Sequence, residues 1–258
     1  MPTALSLSAL SFVAVLAALP AHGARADERA PLRVLAAASL ADAVADAARD
    51  WNGARVEASF GASSALARQV RDGAPGDVFL SASRAWMDFL RDAGALAGEP
   101  VVVARNRLVC IAPRGRGEAL AGAGVTGPRA LAGALDDDAR IAIADEGVPA
   151  GEYARAALAS SGADEALRGR LVGQRDVRAV LYAVEAGEVD AGFVYATDAR
   201  VADVDVVFAF DPATHPPIEY LAAALRGARA PAEARRFLDH LRSAAVRARL
   251  AAAGFALP

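Results

Sequence analysis

The chain has 258 residues, 55% of them hydrophobic and 23% charged, which supplies apolar material for one large core or two smaller ones and excludes a disordered polymer. Its formal charge of −3 combines 28 basic residues, all of them arginine, with 31 acidic ones among which they are scattered, so no basic face is offered to nucleic acid. A single cysteine, Cys110, excludes a disulfide framework and a thiolate metal cluster and reads as buried and inert, and the widely separated histidines do not make a zinc site.

Residues 1–20, MPTALSLSALSFVAVLAALP, are apolar and uncharged, and Ala24-Arg25-Ala26 follows as an A-x-A pattern that allows cleavage before Asp27. The reading is a signal peptide over 1–26 and an exported, periplasmic mature chain of charge −4, Arg25 being the one charged residue removed. The start of the leader lacks Lys and Arg, so retention as a membrane anchor is the alternative, although the apolar run is at the short end for a bilayer span.

Next, LRVLAAA reads as a buried strand over 32–38, and Ser39 opens a helical pattern with Asp42 three residues on, which resembles a capping box. Strands are expected near 54–60, 77–82, 100–103 and 106–112, and helices over 39–51, 63–72 and 84–93. Such alternation predicts a parallel sheet with helices on both faces. Residues 113–128, PRGRGEALAGAGVTGP, read as loop. A second α/β series follows: strand 139–144, helix about 150–160, short helix 164–170, helix 177–186 and strand 190–195. Strand-like runs at 203–210 and 217–225 and helices at 231–243 and 245–252 end the chain. Two such units imply two lobes with a cleft at the carboxyl ends of their strands. Trp51 and Trp86 are structural residues of the first lobe in this reading, and candidate fluorescent reporters of cleft closure.

Four places deliver small or backbone-exposing residues to a helix start: Ala38-Ser39, Gly61-Ala62-Ser63-Ser64, Val148-Pro149-Ala150-Gly151 and Asp176-Val177. The first amides of a helix lack intrahelical partners and carry the positive end of its dipole, which suits a bound anion. Each place alone reads equally as an ordinary cap. Tyr195 adds a hydroxyl at the end of the apolar strand AGFVY, where a core tyrosine is the plainer reading.

The series AAASLADA, then SFGASSALARQVRDGAPGDVFLSAS with AWMD behind it, then VPAGEYARAAL, then DVRAVLYAVEAGEVDAGFVYATDA resembles the periplasmic molybdate-binding proteins that serve ABC importers, in the same order over nearly all of the mature chain. The resemblance implies an α/β, type II-like periplasmic-binding-protein fold with two doubly wound sheets joined by a hinge. Lobe 1 would comprise 27–109 and 206–258, and lobe 2 110–205. It further implies a monomer that takes molybdate or tungstate as ligand, uses no cofactor, and partners a membrane permease. Motif by motif, the implied ligands are Ser39 and Ser63 (hydroxyl and amide each), the amides of Ala150 and Val177, and the hydroxyl of Tyr195. The GASSA turn is less serine-rich than the family pattern, which leaves the part played by Ser64 open.

Neutral donors can hold such a dianion. Hydrogen bonds to a charged partner contribute roughly 1.5–3 kcal/mol each, and about seven of them outweigh association costs of about 4–15 kcal/mol by enough for micromolar to nanomolar binding. Phosphate at neutral pH keeps a proton and needs an acceptor, so a donor-only pocket rejects it. The carboxylates of Asp145, Glu146 and Asp176 are therefore expected to point away from the pocket. Sulfate or another oxyanion is the alternative ligand. In the competing enzyme reading, Ser63 is a serine-hydrolase nucleophile, since GASSA is a near miss to G-x-S-x-G, with His215 or His240, both expected away from the cleft, as its base.

Overall fold

In the computed structural model, which describes residues 30–258, the chain opens on alternating elements: β1 (Leu32–Ala37), α1 (Ala41–Arg49), β2 (Val56–Gly61), α2 (Ser63–Arg71), β3 (Val78–Ser81), α3 (Arg84–Asp92) and β4 (Val101–Arg105). The leader expected over 1–26, with its cleavage after Ala26, lies outside the described residues. A second set follows: β5 (Leu108–Pro113), α4 (Gly117–Gly122), α5 (Pro128–Ala134), β6 (Ile141–Ala144), α6 (Pro149–Ser161), α7 (Asp164–Leu167), β7 (Leu171–Gln174), α8 (Val177–Glu185), β8 (Ala191–Tyr195) and β9 (Val204–Ala209). The chain closes with β10 (Glu219–Ala224), α9 (Pro231–Leu241) and α10 (Ala244–Ala252). Among the described residues, no helix is long and apolar enough to cross a membrane.

Two five-stranded sheets result, ordered β2-β1-β3-β10-β4 and β7-β6-β8-β5-β9. β1 lies inside the first sheet, paired in parallel with β2 and β3, and its apolar run is buried because helices such as α1 and α2 pack on it. The βαβ crossovers are parallel, as the alternation predicts, but both sheets are mixed. β10 runs antiparallel to β3 and β4, and β5 runs antiparallel to β8 and β9. Each of these two strands enters its sheet directly from the other sheet, without a crossover helix of its own, so nothing obliges it to run parallel.

The chain passes from the first sheet to the second at residues 106–107 and returns after β9. The two crossings touch, Asn106 N donating to Ile218 O at 3.1 Å. The return expected at 206 falls inside β9, whose pairing with β5 keeps Val204–Ala209 in the second sheet. Two other local expectations change. Residues 113–128 contain α4 and the start of α5 rather than loop alone, and β7 is a short edge strand where none was expected. Ser39 does not cap a helix. It sits inside a 3-10 turn, Ala38–Leu40, and Asp42 reaches instead to Arg178 on the facing lobe, at 2.6 Å.

Candidate functional site

Ser39, Ser63 at the first position of α2, Ala150 at the second of α6, Val177 at the first of α8 and Tyr195 at the end of β8 all line one small cavity between the two sheets. All five are buried. Residues far apart in sequence meet because the carboxyl ends of β1, β2 and β8 and the start of three helices converge on the same gap.

The caps of these helices leave the site's amides free. The residues before the Ser39 turn, α2 and α6 are Ala37, Ala62 and Val148, none of which has a side chain able to accept from the first amides. At α8 the cap is Asp176, and its carboxylate takes Arg178 N and Ala179 N, both at 3.0 Å. That passes over the N–H of Val177, which as the first helical residue has no intrahelical acceptor. Pro149 opens α6 with the geometry the first turn needs and no N–H of its own, so Ala150 supplies the leading donor there.

The hydroxyls are arranged to the same end. Ser63 Oγ accepts from Ala82 N at 3.0 Å and Ser39 Oγ accepts from the Tyr220 hydroxyl at 3.0 Å, which leaves each serine its own proton to give. The Tyr195 hydroxyl is fully buried and has no hydrogen-bond partner among the described residues. Burial, reinforced by Tyr220, Tyr153 and Asp198 nearby, pushes its pKa well above the usual tyrosine value, so it stays a neutral donor. Ser64 is equally buried and its hydroxyl also unpaired, but it does not line the cavity.

Among the described residues the cavity lining holds no arginine and one carboxylate, Asp176, whose oxygen is engaged as the α8 cap. Asp145 and Glu146 do not line it, and the Asp145 carboxylate instead lies over Gly173. No group of three or more His, Cys, Asp or Glu suited to a metal ion occurs among the described residues. The hydrolase arrangement is not assembled. His240 Nε2 lies 2.9 Å from Ala47 O. His215 Nδ1 lies 2.8 Å from Pro216 O, and its ring packs at 5.8 Å on Tyr153, nearer the cleft than expected.

Several residues that matter here carry no local signal. Tyr153 of α6 donates to Ala82 O at 3.2 Å, Trp86 Nε1 of α3 donates to Gly147 O at 2.9 Å, and Arg178 pairs with Asp42, so three polar contacts tie the lobes together around the cavity. Trp86 is thus a contact between lobes rather than a residue of the first alone, whereas Trp51 packs on Phe237 within it.

Arg178 also holds Asp198 at 2.8 Å beneath the site, and Asp198 accepts from Tyr195 N at 3.3 Å. Burial of Asp198 outweighs its arginine and raises its pKa from 3.8 to about 6. A carboxyl that binds its proton more tightly folded than unfolded contributes less stability as pH rises through that window, here by as much as about 3 kcal/mol. Urea unfolding at intervals from about pH 4 to 6 is expected to show wild type losing stability relative to Asp198→Asn; a pH-independent difference between the two would refute the assignment.

Residues 32–256 match the family model described as bacterial extracellular solute-binding protein. The chain is 36% identical to the molybdate-binding protein ModA of Haemophilus influenzae, covering 88% of this chain and 90% of the relative, and 37% identical to ModA of Escherichia coli, covering 83% and 84%. Among solved structures, the periplasmic molybdate-binding protein of Azotobacter vinelandii superposes with a TM-score of 0.74 at 25% identity, over 88% of this chain and 99% of that one.

Proposed function

The chain belongs to the bacterial extracellular solute-binding proteins, and from that membership we propose that it captures molybdate outside the cytoplasmic membrane and delivers it to the permease of an ABC importer. The observation that carries the reading is the Tyr195 hydroxyl, buried and unpaired on a residue that lines, with the residues of the free helix-start amides, a cavity without a cationic side chain. A buried donor without an acceptor costs free energy unless a ligand supplies one. A tetrahedral oxyanion without protons is acceptor all round and satisfies every donor at once.

In this proposal the hydroxyls and amides of Ser39 and Ser63, the amides of Ala150 and Val177, and the Tyr195 hydroxyl hold the anion. Ser39 and Ser63 belong to the first sheet's lobe and the other three to the second's. Binding therefore makes contacts that exist only when the lobes meet, and shifts the hinge toward closure. Tungstate, of the same shape and charge, binds as well. The protein is an exported monomer that carries its cargo without transforming it.

Calorimetry against molybdate, tungstate, sulfate and phosphate tests the function. Tight binding of the first two and none of phosphate is expected, and absence of heat with every oxyanion overturns it. Ser39→Ala and Tyr195→Phe are each expected to weaken molybdate about tenfold with the fold intact; unchanged affinity in both would place the ligand elsewhere. Closure should change the fluorescence of Trp86, so the molybdate-induced signal should survive Trp51→Phe and vanish in Trp86→Phe.

A further inference from the structure

Asn106 lies in the first crossing between the lobes, outside the cavity lining, yet its side chain reaches both sheets. Its Nδ2 donates to Thr197 Oγ1 at 2.8 Å and to the Tyr220 hydroxyl oxygen at 3.2 Å, and its Oδ1 accepts from Arg107 N at 2.9 Å. The last contact fixes which end of the amide is which, because a backbone N–H can only face the oxygen. The rest follows by elimination. Tyr220 receives a proton from Asn106, so its own proton goes to its other partner, Ser39 Oγ, at 3.0 Å. Ser39 in turn receives a proton from Tyr220, so its own proton goes into the cavity. Tyr220 is completely buried.

We propose that Asn106 and Tyr220 are specificity-determining positioning residues: by donating to Ser39 from the hinge side they turn its single proton toward the cavity, so that Ser39 presents a proton rather than a lone pair to the oxygen it faces. The backbone N–H of Ala82 does the same for Ser63. The inference rests on the proposed oxyanion site and goes further, locating part of its discrimination against phosphate in two residues that do not touch the ligand.

Two substitutions release or reverse the relay. Tyr220→Phe keeps the ring that packs on Tyr195 and Phe255 and removes the proton sent to Ser39. Asn106→Asp is nearly isosteric and keeps the oxygen that Arg107 N needs, but places an acceptor beside Tyr220. The tyrosine proton then turns to Asp, Tyr220 accepts from Ser39, and Ser39 offers a lone pair to the cavity.

The affinity for molybdate is to be measured by calorimetry, and that for inorganic phosphate by its competition with molybdate at high phosphate concentration, at a pH where phosphate is the monoprotonated dianion, so that both ligands carry the same charge and the ratio of their affinities cancels any general repulsion from the new carboxylate. The ratio is expected to fall about tenfold in Tyr220→Phe and further in Asn106→Asp, and neither change should alter it in a Ser39→Ala background. An unchanged ratio in both variants, or an equal fall with and without Ser39, overturns the relay while leaving the oxyanion site standing. Absence of molybdate binding by wild type overturns the site itself and the relay with it. A thermal melt accompanies each variant, and should one fail to fold the other decides alone.

Discussion

Gly151→Ala is expected to weaken molybdate binding by at least a hundredfold and to lower the melting temperature by a few to about ten degrees. Gly151 is the third residue of α6, and a Cβ there would stand 2.1 Å from Ala144 O and 2.7 Å from Asp145 O. Both are backbone atoms at the end of β6, and neither can rotate aside. The helix start must therefore lift away from the strand, which at the usual cost of overpacking is about 1–3 kcal/mol, or roughly 2–4 °C per kcal/mol in a chain of this size. The larger loss falls on binding. The Ala150 amide rides on the displaced turn, and so does Tyr153, whose hydroxyl contact with Ala82 helps close the lobes. Gly169→Ala, where an added carbon meets nothing within 4 Å, is the control. Calorimetry and a thermal melt of both variants check the prediction, and near-wild-type affinity in Gly151→Ala would mean that the start of α6 is not part of the site.

The places that could be read from sequence are those whose signals are local. A strand that hands over to a helix through small residues is visible at Ala62-Ser63 and at Val148-Pro149-Ala150, and the structure puts these positions, with Ser39, Val177 and Tyr195, around one cavity. Ser39 differs, because S-L-A-D satisfies the capping-box pattern while the real partner of Asp42 is Arg178, 136 residues later. Strand direction was illegible at β5 and β10 for a related reason. The right-handed crossover rule fixes direction only where a helix returns the chain to the same sheet, and these strands arrive from the other lobe. β7 carries little strand signal because LVGQ is four residues long, half exposed, and contains a glycine. That glycine has a tertiary cause, since a Cβ at Gly173 would meet Asp145 Oδ1 at 2.2 Å. Tyr220, which stands 181 residues from the Ser39 it serves, could be found only from the folded chain.

Removing a single backbone proton is the most direct test of a pocket built from amides, and Val177→Pro does so with little collateral change. Val177 is the first residue of α8, where proline's fixed φ suits the helix and its missing N–H breaks no helical bond. The residue before it must be extended to avoid the proline ring, and Asp176 already is, at φ −160° and ψ 174°. The capping bonds from Arg178 N and Ala179 N to Asp176 do not involve the lost proton. What changes is one oxygen of the bound anion, left buried and facing a carbon at the positive end of a helix. Loss of a charge-assisted hydrogen bond of roughly 1.5–3 kcal/mol corresponds to molybdate binding 10- to 100-fold weaker. Because the N1 position tolerates proline, the melting temperature of the unliganded protein should move far less than in Gly151→Ala. Val177→Ala trims the same buried side chain but keeps the amide, and separates the two causes. If the alanine variant loses as much affinity as the proline variant, the contribution of Val177 is packing, and the anion is held by fewer helix starts than proposed. If proline alone weakens binding, the N–H itself is a ligand, and an apolar residue has been serving the site through its backbone.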